Sequence, residues 1–276
     1  MKKLLKLTAE NYYSVEANMD YMSASQFKAF MKCEAAALAE ARGEYKRPST
    51  TAMLVGSFVD AHFEGTKGLF ISEHPEIVKR DGTLKQEFQD AYKIIKRIEE
   101  DRLFSLLMSG RKQVIKTGKI AGVPFKIKID SLLGKRECKR ILKEFPETEP
   151  VLALGAGLIN DLKIMRDTKP LWDSEDEMYK PFAEYWGYDI QGAIYQAIDG
   201  RGLPFTLSVA TKEETPDLEA YVVPGAELSA RLEEVKQWAP KFQRIKLGLE
   251  APHACGKCPY CRAHKRLTRF VDYTAE

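Results

Sequence analysis

Gly122-Val123-Pro124-Phe125-Lys126-Ile127-Lys128-Ile129-Asp130, followed downstream by Ile159-Asn160-Asp161-Leu162-Lys163, is the part of the sequence that decides the fold. The first segment alternates. Val123, Phe125, Ile127 and Ile129 fall on one face of a strand, and Lys126, Lys128 and Asp130 on the other. In the second, residues two apart share a face, so Asp161 and Lys163 point one way while Leu162 and Ile164 point into a core. A carboxylate and a lysine side by side in an otherwise apolar strand are awkward to bury without a task. Asp130 closes the polar face of its strand, so two strands can present two carboxylates and one ammonium at one point. Carboxylate oxygens suit Mg²⁺. Such an ion can hold a scissile phosphate, and a lysine can position water or offset developing charge. Spacing alone also allows a plain surface strand with salt bridges.

Outward from this pair, the pattern alternates between helix and strand. Ser23 or Ser25 caps a helix expected to run to about Glu44, with Ala24, Phe27, Phe30, Met31 and Ala35 as its apolar stripe. Further helices are expected over roughly Ala52 to Glu64, Lys85 to Ser109, Phe182 to Ile198 and Ala226 to Leu249. Strands are expected at Gln113 to Gly118, Val123 to Leu132, Leu158 to Ile164, Pro204 to Thr211 and Leu218 to Pro224. The stretches from Gly65 to Gly82 and from Gly134 to Gly157 read as loop and charged connector, and Asp173 to Glu177 as an acidic loop. The order is α/β or α+β, a central mixed sheet flanked by helices in a single domain over 1–276. It has a helical part at about 20–110, a core at about 111–224, and a C-terminal helix with a cysteine cluster at about 225–270.

The 276 residues carry 43 basic and 40 acidic side chains, a net charge of only +3. The basic residues cluster: Lys126, Lys128, Lys135, Arg136, Lys139, Arg140 and Lys143 in one stretch, and eight more from Lys241 to Arg269 against a single Glu250. Such clusters bind phosphate backbones or form solvated faces. No apolar run approaches membrane-spanning length, and the N-terminus lacks a signal-peptide core, so a cytoplasmic protein is expected. Neither a phosphate-binding Gly-x4-Gly-Lys-Ser/Thr loop nor a Gly-x-Gly-x-x-Gly fingerprint is present. A serine-hydrolase reading finds no Gly-x-Ser-x-Gly.

Of the five cysteines, three fall in Cys255-Gly256-Lys257-Cys258-Pro259-Tyr260-Cys261. An odd count in such a chain argues against a disulfide framework. Zinc and [4Fe–4S] sites normally take four ligands, and Cys33 is the obvious fourth. His253 or His264 could replace a cysteine around zinc, and free thiols are the plain alternative. Cys138 reads as unrelated. Arg262, Lys265, Arg266 and Arg269 around the cluster could touch a DNA backbone or be a solvated helix end.

Four segments together resemble the PD-(D/E)xK nuclease superfamily, in particular its RecB-like branch with phage recombination exonucleases of the RecE and lambda exonuclease kind. They are Tyr21-Met22-Ser23-Ala24-Ser25-Gln26-Phe27-Lys28, the stretch from Leu54 to His62 containing Gly56 and Asp60, the two strands quoted above, and Gln191-Gly192-Ala193-Ile194-Tyr195. The resemblance implies a restriction-endonuclease-like core. It implies Asp130 and Asp161 as Mg²⁺ (or Mn²⁺) ligands, with the Leu162 carbonyl adding an oxygen. Lys163 would act on the nucleophilic water, and Gln191 and Tyr195, one helical turn apart, would line the site. Asp60 stands where the family usually has histidine and could still ligate the ion. His62 falls on a different helix face and reads as an ordinary polar residue, while Glu64 could join the pocket. In RecB-like relatives one upstream and three C-terminal cysteines hold a [4Fe–4S] cluster. The tighter spacing here leaves zinc open as well.

The activity implied is metal-dependent hydrolysis of linear double-stranded DNA from the 5′ end, with Lys126, Lys128, Arg262, Lys265 and Arg266 on the DNA. A single-strand annealing recombinase is the implied partner, in a phage setting, and some relatives form rings, so a homo-oligomer is in scope. The alternatives are a non-catalytic DNA-binding adaptor on a degenerate nuclease fold, favoured only by the change at Asp60, and a structure-specific endonuclease.

Overall fold

The computed structural model describes residues 3–152 and 156–270. Its helices are α1 (Val15–Asp20), α2 (Ala24–Lys32), α3 (Glu34–Ala41), α4 (Thr51–Glu64), α5 (Lys67–Glu73), α6 (Gln86–Glu100), α7 (Arg102–Leu107), α8 (Lys135–Glu144), α9 (Glu149–Leu152), α10 (Phe182–Tyr185), α11 (Tyr188–Asp199), α12 (Gly225–Lys246) and α13 (Pro259–Ala263). The strands are β1 (Arg111–Ile120), β2 (Val123–Leu133), β3 (Leu158–Met165), β4 (Leu171–Asp173), β5 (Met178–Lys180), β6 (Phe205–Thr211) and β7 (Leu218–Val223). Among the described residues the sheet order is β1-β2-β3-β6-β7, with β4 and β5 paired apart. Within that order β3 and β6 run parallel and the other neighbours antiparallel. This is the mixed sheet flanked by helices that the alternation predicts.

β1 and β2 form a long hairpin turned by Ala121 and Gly122, both at positive φ, which is the two-residue turn whose twist suits a hairpin. β2 then pairs with β3 only through Ser131–Asn160, Leu132–Ile159 and Leu133–Leu158. Continuing that register would set Asp130 opposite Asp161 and Lys128 opposite Lys163. The ladder stops there instead, and β3 goes on alone with β6 as far as Met165. The resulting fork is what the site is built in. At its closed end, buried Asn160 accepts from Thr206 at 2.9 Å and Ser208 at 2.8 Å, and Ser131 donates to the Leu107 carbonyl at 2.8 Å. These partners satisfy the polar groups that the strand interior would otherwise strand without water.

The sheet carries a helical layer on each face. One core joins Phe125, Ile127 and Ile129 of β2 with Phe205, Leu207 and Val209 of β6 and with α2, α11 and α12. Phe30 stacks on Phe242 across this layer at 5.1 Å, and truncating such a ring costs about 3–5 kcal/mol. α11 lies very close to the sheet: a Cβ on Gly192 would come within 2.4 Å of Phe205, so only glycine fits. The other core packs Leu162 and Ala210, with Ile164 at its edge, against α4, α6 and α7. Leu162 and Ile164 thus face the side expected of them.

Several expected elements are interrupted, each for a local reason. The helix expected from Ser23 to Glu44 breaks at Cys33, whose extended backbone ends α2 and starts α3. The helix expected over Lys85 to Ser109 breaks at Asp101, which caps α7 by accepting the Phe104 N–H at 2.8 Å. The helix expected from Phe182 divides at Gly187. The connector after Gly134 contains α8, and the loop after Gly65 contains α5. No helix among the described residues is long and apolar enough to cross a membrane.

Candidate active site

At the fork between β2 and β3 a cleft of about 520 Å³ opens. It is lined by Asp60 from α4, Asp130 from β2, Asp161, Leu162 and Lys163 from β3, and Gln191 and Tyr195 from α11. The structure therefore brings every expected site residue of this group to one place, on four elements far apart in sequence.

Asp161 is 1 % exposed. Its Oδ1 accepts from Gln191 Nε2 at 2.7 Å, and its Oδ2 forms an ion pair with Lys163 Nζ and takes no hydrogen bond beyond that pair among the described residues. Asp130 reaches across the fork: its Oδ2 accepts the Leu162 N–H at 3.1 Å, filling a ladder position that β2 vacates. Lys163 Nζ also lies 4.8 Å from the centre of the Tyr188 ring, a cation–π contact. Tyr195 donates to the Lys128 carbonyl at 2.9 Å, which ties α11 to β2. α11 itself is held by Asp189, whose Oδ2 accepts from Arg231 Nε of α12 at 2.6 Å.

The electrostatics are those of crowded like charges. Burial pushes the Asp130 carboxyl well above the ordinary carboxylate range, and the charges of Asp161 and Asp60 push it further, against the pull of Lys163. Asp60 is raised to about 7, first by burial, with Lys163 lowering it and Asp161 and Glu64 raising it. Burial by itself would discharge Lys163, but Asp161 and Asp130 outweigh it and hold the ammonium charged. Lys28, which also lines the cleft, is lowered to about 8 by burial and by Lys163.

Some expectations change. Lys126 does not face the cleft as a free cation. It is 1 % exposed, and its ammonium donates to the Tyr12 carbonyl and to Asn18 Oδ1 at 2.8 Å. It anchors the N-terminal segment over β2, because that segment covers what reads in sequence as a solvent face. Lys128 does remain at the cleft, over the Tyr13 ring at 4.8 Å. Glu64 is not among the cleft residues and acts on Asp60 through charge alone. His62 pairs with Glu99 at 2.8 Å, as an ordinary polar residue would. Arg262, Lys265 and Arg266 are exposed on the segment around α13.

Lys28 and Tyr188 are the site residues that sequence reading passes over. Tyr188 was legible, since it lies three residues before Gln191 on one helical face. Lys28 has no such signal: α2 reaches the cleft only through tertiary packing.

The chain matches, over residues 23–145 and 151–264, the family described as a PDDEXK-like domain of unknown function. It belongs to that family. A solved structure from Eubacterium rectale, described as a "Putative exonuclease", is 38% identical, with 97% of each chain covered and a TM-score of 0.85. No curated protein matches. The chain is thus a member of the PD-(D/E)xK nuclease superfamily with its restriction-endonuclease-like core, and family and neighbour together support nuclease activity.

The second group of chemistry-bearing side chains lies elsewhere. Cys33, from the α2–α3 break, meets Cys255, Cys258 and Cys261 of the segment after α12, and a metal ion could sit among them. Cys138 is buried apart from them, among Leu107, Leu133 and Ile141.

Proposed function

We propose that this PD-(D/E)xK protein is a Mg²⁺- or Mn²⁺-dependent exonuclease that hydrolyses linear double-stranded DNA. The observation that carries the reading is the fork itself, where three carboxylates from three elements converge beside one partly buried lysine. Hard oxygen donors suit magnesium or manganese. The buried Asp161 Oδ2, short of hydrogen-bond donors, and the raised Asp60 and Asp130 describe a pocket short of positive charge. The residues present therefore fit a divalent ion. Asp60, Asp130, Asp161 and the Leu162 carbonyl would hold it. When bound, such an ion supplies positive charge to the scissile phosphate and lowers the pKa of water.

The chain's own residues do the rest. Lys163, kept charged by its carboxylate neighbours, holds the attacking water by hydrogen bonding and offsets charge building on the phosphate. Gln191 fixes the rotamer of Asp161 through its 2.7 Å hydrogen bond. Tyr195 fixes the β2 backbone beside Asp130. Lys28 and Lys128 flank the cleft as phosphate contacts, and Tyr13, 69 % exposed beside Lys128, offers a face for a base. Arg262, Lys265 and Arg266 extend the basic surface.

The exonuclease reading is supported by the description of the structural neighbour. The RecE-like polarity, 5′ to 3′ resection for phage-type recombination with an annealing partner, rests on the resemblance in sequence. The test is digestion of linear duplex DNA labelled at either end, with Mg²⁺ or Mn²⁺, beside Lys163→Ala and a closed circular control. Metal-dependent loss of the linear DNA is expected, with the 5′ label released first and both controls intact. Cutting of the circle would make it an endonuclease, and no cutting by metal-replete protein would leave a DNA-binding adaptor.

A further inference from the structure

The four sulfur atoms of Cys33, Cys255, Cys258 and Cys261 all lie within 4.8 Å of one another. Cys33 Sγ is 3.5 Å and Cys255 Sγ 3.9 Å from Cys261 Sγ. These separations measure the size of what the sulfurs can enclose. Around a single zinc-type ion, metal–sulfur bonds of about 2.3 Å in a tetrahedron set the sulfurs about 3.8 Å apart. In a four-iron cubane each thiolate takes a different iron at a different corner, so the sulfurs stand farther apart than the edge of one tetrahedron. The observed set matches the smaller size. The iron–sulfur cluster implied by the resemblance to RecB-like nucleases does not fit it.

The backbone around the cysteines points to thiolates gathered on a cation. Gly256 has φ 72°, in the left-handed region that favours glycine, and it bends the chain so that Cys255 and Cys258 face the same way. The Cys258 N–H donates to Cys255 Sγ at 3.4 Å, and the Cys261 N–H to Cys258 Sγ at 3.4 Å. Donors aimed at sulfur offset the charge that four thiolates bring to a divalent ion. Among the described residues the group that could hold an ion contains neither nearby histidine, and His264 Nδ1 faces the Tyr260 carbonyl at 2.8 Å.

We propose that Cys33, Cys255, Cys258 and Cys261 bind one divalent, thiophilic ion of the zinc type in tetrahedral geometry, and that this ion fastens the α2–α3 junction to the segment after α12. With four protein ligands the ion has no open position, so its role is structural. The ion explains why the helix breaks at Cys33: an unbroken helix has no reason to turn that residue toward the cluster. It also reaches the cleft at one remove, because α2 carries Lys28, and Ser23 and Ser25 at its N-terminal end also line it. Weaker fasteners run alongside. Glu34 accepts from Lys241 Nζ at 2.6 Å and from the His253 N–H at 2.7 Å, and Tyr45 packs on Tyr260.

The experiment is elemental analysis of the full chain purified anaerobically, for zinc, iron and acid-labile sulfide, with no DNA assay involved. One zinc per chain, no sulfide and a colourless solution are expected. Exchange with Co²⁺ should give the intense visible bands of a tetrahedral thiolate site. Cys33→Ser and Cys258→Ser should each lose the ion, and Cys138→Ser should keep it. A brown protein containing iron and sulfide overturns the proposal, as does a metal-free chain or full metal content in Cys33→Ser. Should a serine variant fail to fold, wild-type stoichiometry and the cobalt spectrum decide alone. These readouts are blind to DNA cleavage, so failure here and failure of the nuclease reading are told apart.

Discussion

The fork at β2–β3 and the cysteine group after α12 are both gatherings of anionic donors, and they are built in opposite ways. The fork sets hard carboxylates on two central strands that each pair with a neighbour on the far side, and a third on α4. The cysteine group sets soft sulfurs on loop and helix-end backbone, joined from two distant stretches of chain. At the fork the protein scaffold holds the charges together against their repulsion, so stability is given up for chemistry. At the cysteines, on the proposal above, the donors and their ion hold the scaffold together. Removing a fork residue should therefore cost activity and spare the fold, and removing a cysteine should do the reverse.

The largest expected effect tests the first half. Lys163→Arg, which keeps the positive charge beside Asp161, or Asp161→Asn should lower the rate of DNA hydrolysis by about 100-fold or more while the melting temperature stays near that of the wild type. If either variant melts as early as a cysteine variant, the two regions do not differ as described.

Next comes the second half. Cys258→Ser, or a strong chelator, should remove a few kcal/mol of stability, lowering the melting temperature by roughly 5–10 °C for a chain of this size. Turnover per folded molecule of Cys258→Ser, measured in excess Mg²⁺ below the transition, should hold. Selective loss of turnover without a shift in melting would place the cysteines in the chemistry instead.

A smaller effect sharpens the contrast. Asp60→Asn removes one of the crowded carboxylates and should raise the stability of EDTA-treated protein by about 1 kcal/mol, or roughly 2–4 °C. Activity and the response to Mg²⁺ should fall. A destabilised Asp60→Asn protein would show that the aspartate supports the fold.

The smallest effect is in pH. Asp60 titrates near 7 in the fold against an ordinary 3.8, so the folded protein binds the extra proton between those values. The stability this group contributes is full below about 3.8 and is lost as pH rises to about 7. Melting curves in EDTA should separate from those of Asp60→Asn across that window, in favour of the variant at the upper end. Mg²⁺ must displace the same proton, so its stabilising shift should grow over the same range. Parallel curves throughout would remove Asp60 from the cation site.

Much of this was legible in the sequence, and for particular reasons. The alternation from Val123 to Asp130 and the Asp161-Leu162-Lys163 tripeptide announce two strands and a shared centre, because strand periodicity fixes the facing of each side chain. Gln191 and Tyr195 were legible through the resemblance, with helical spacing setting them on one face, and Cys33 by counting ligands. What stayed hidden depends on long-range packing. The fork cannot be read from either strand alone, since it is the absence of pairing where both strands continue. Lys126 sits on a polar face by pattern, yet the segment carrying Tyr12 and Asn18 folds over it. The α2–α3 break has no glycine or proline to mark it and follows from where Cys33 must point.

The reach between Cys33 and Cys261 has one more consequence, in time. They are 228 residues apart, and a chain made at about 5–20 residues per second needs roughly 10–45 s to pass from one to the other. Cys33 is in place before any strand of the sheet exists, and its partners arrive after the last one. The fastening is therefore a final stitch in biosynthesis: α2 must find its seat by apolar packing first, and only a chain translated past Cys261 can lock it there.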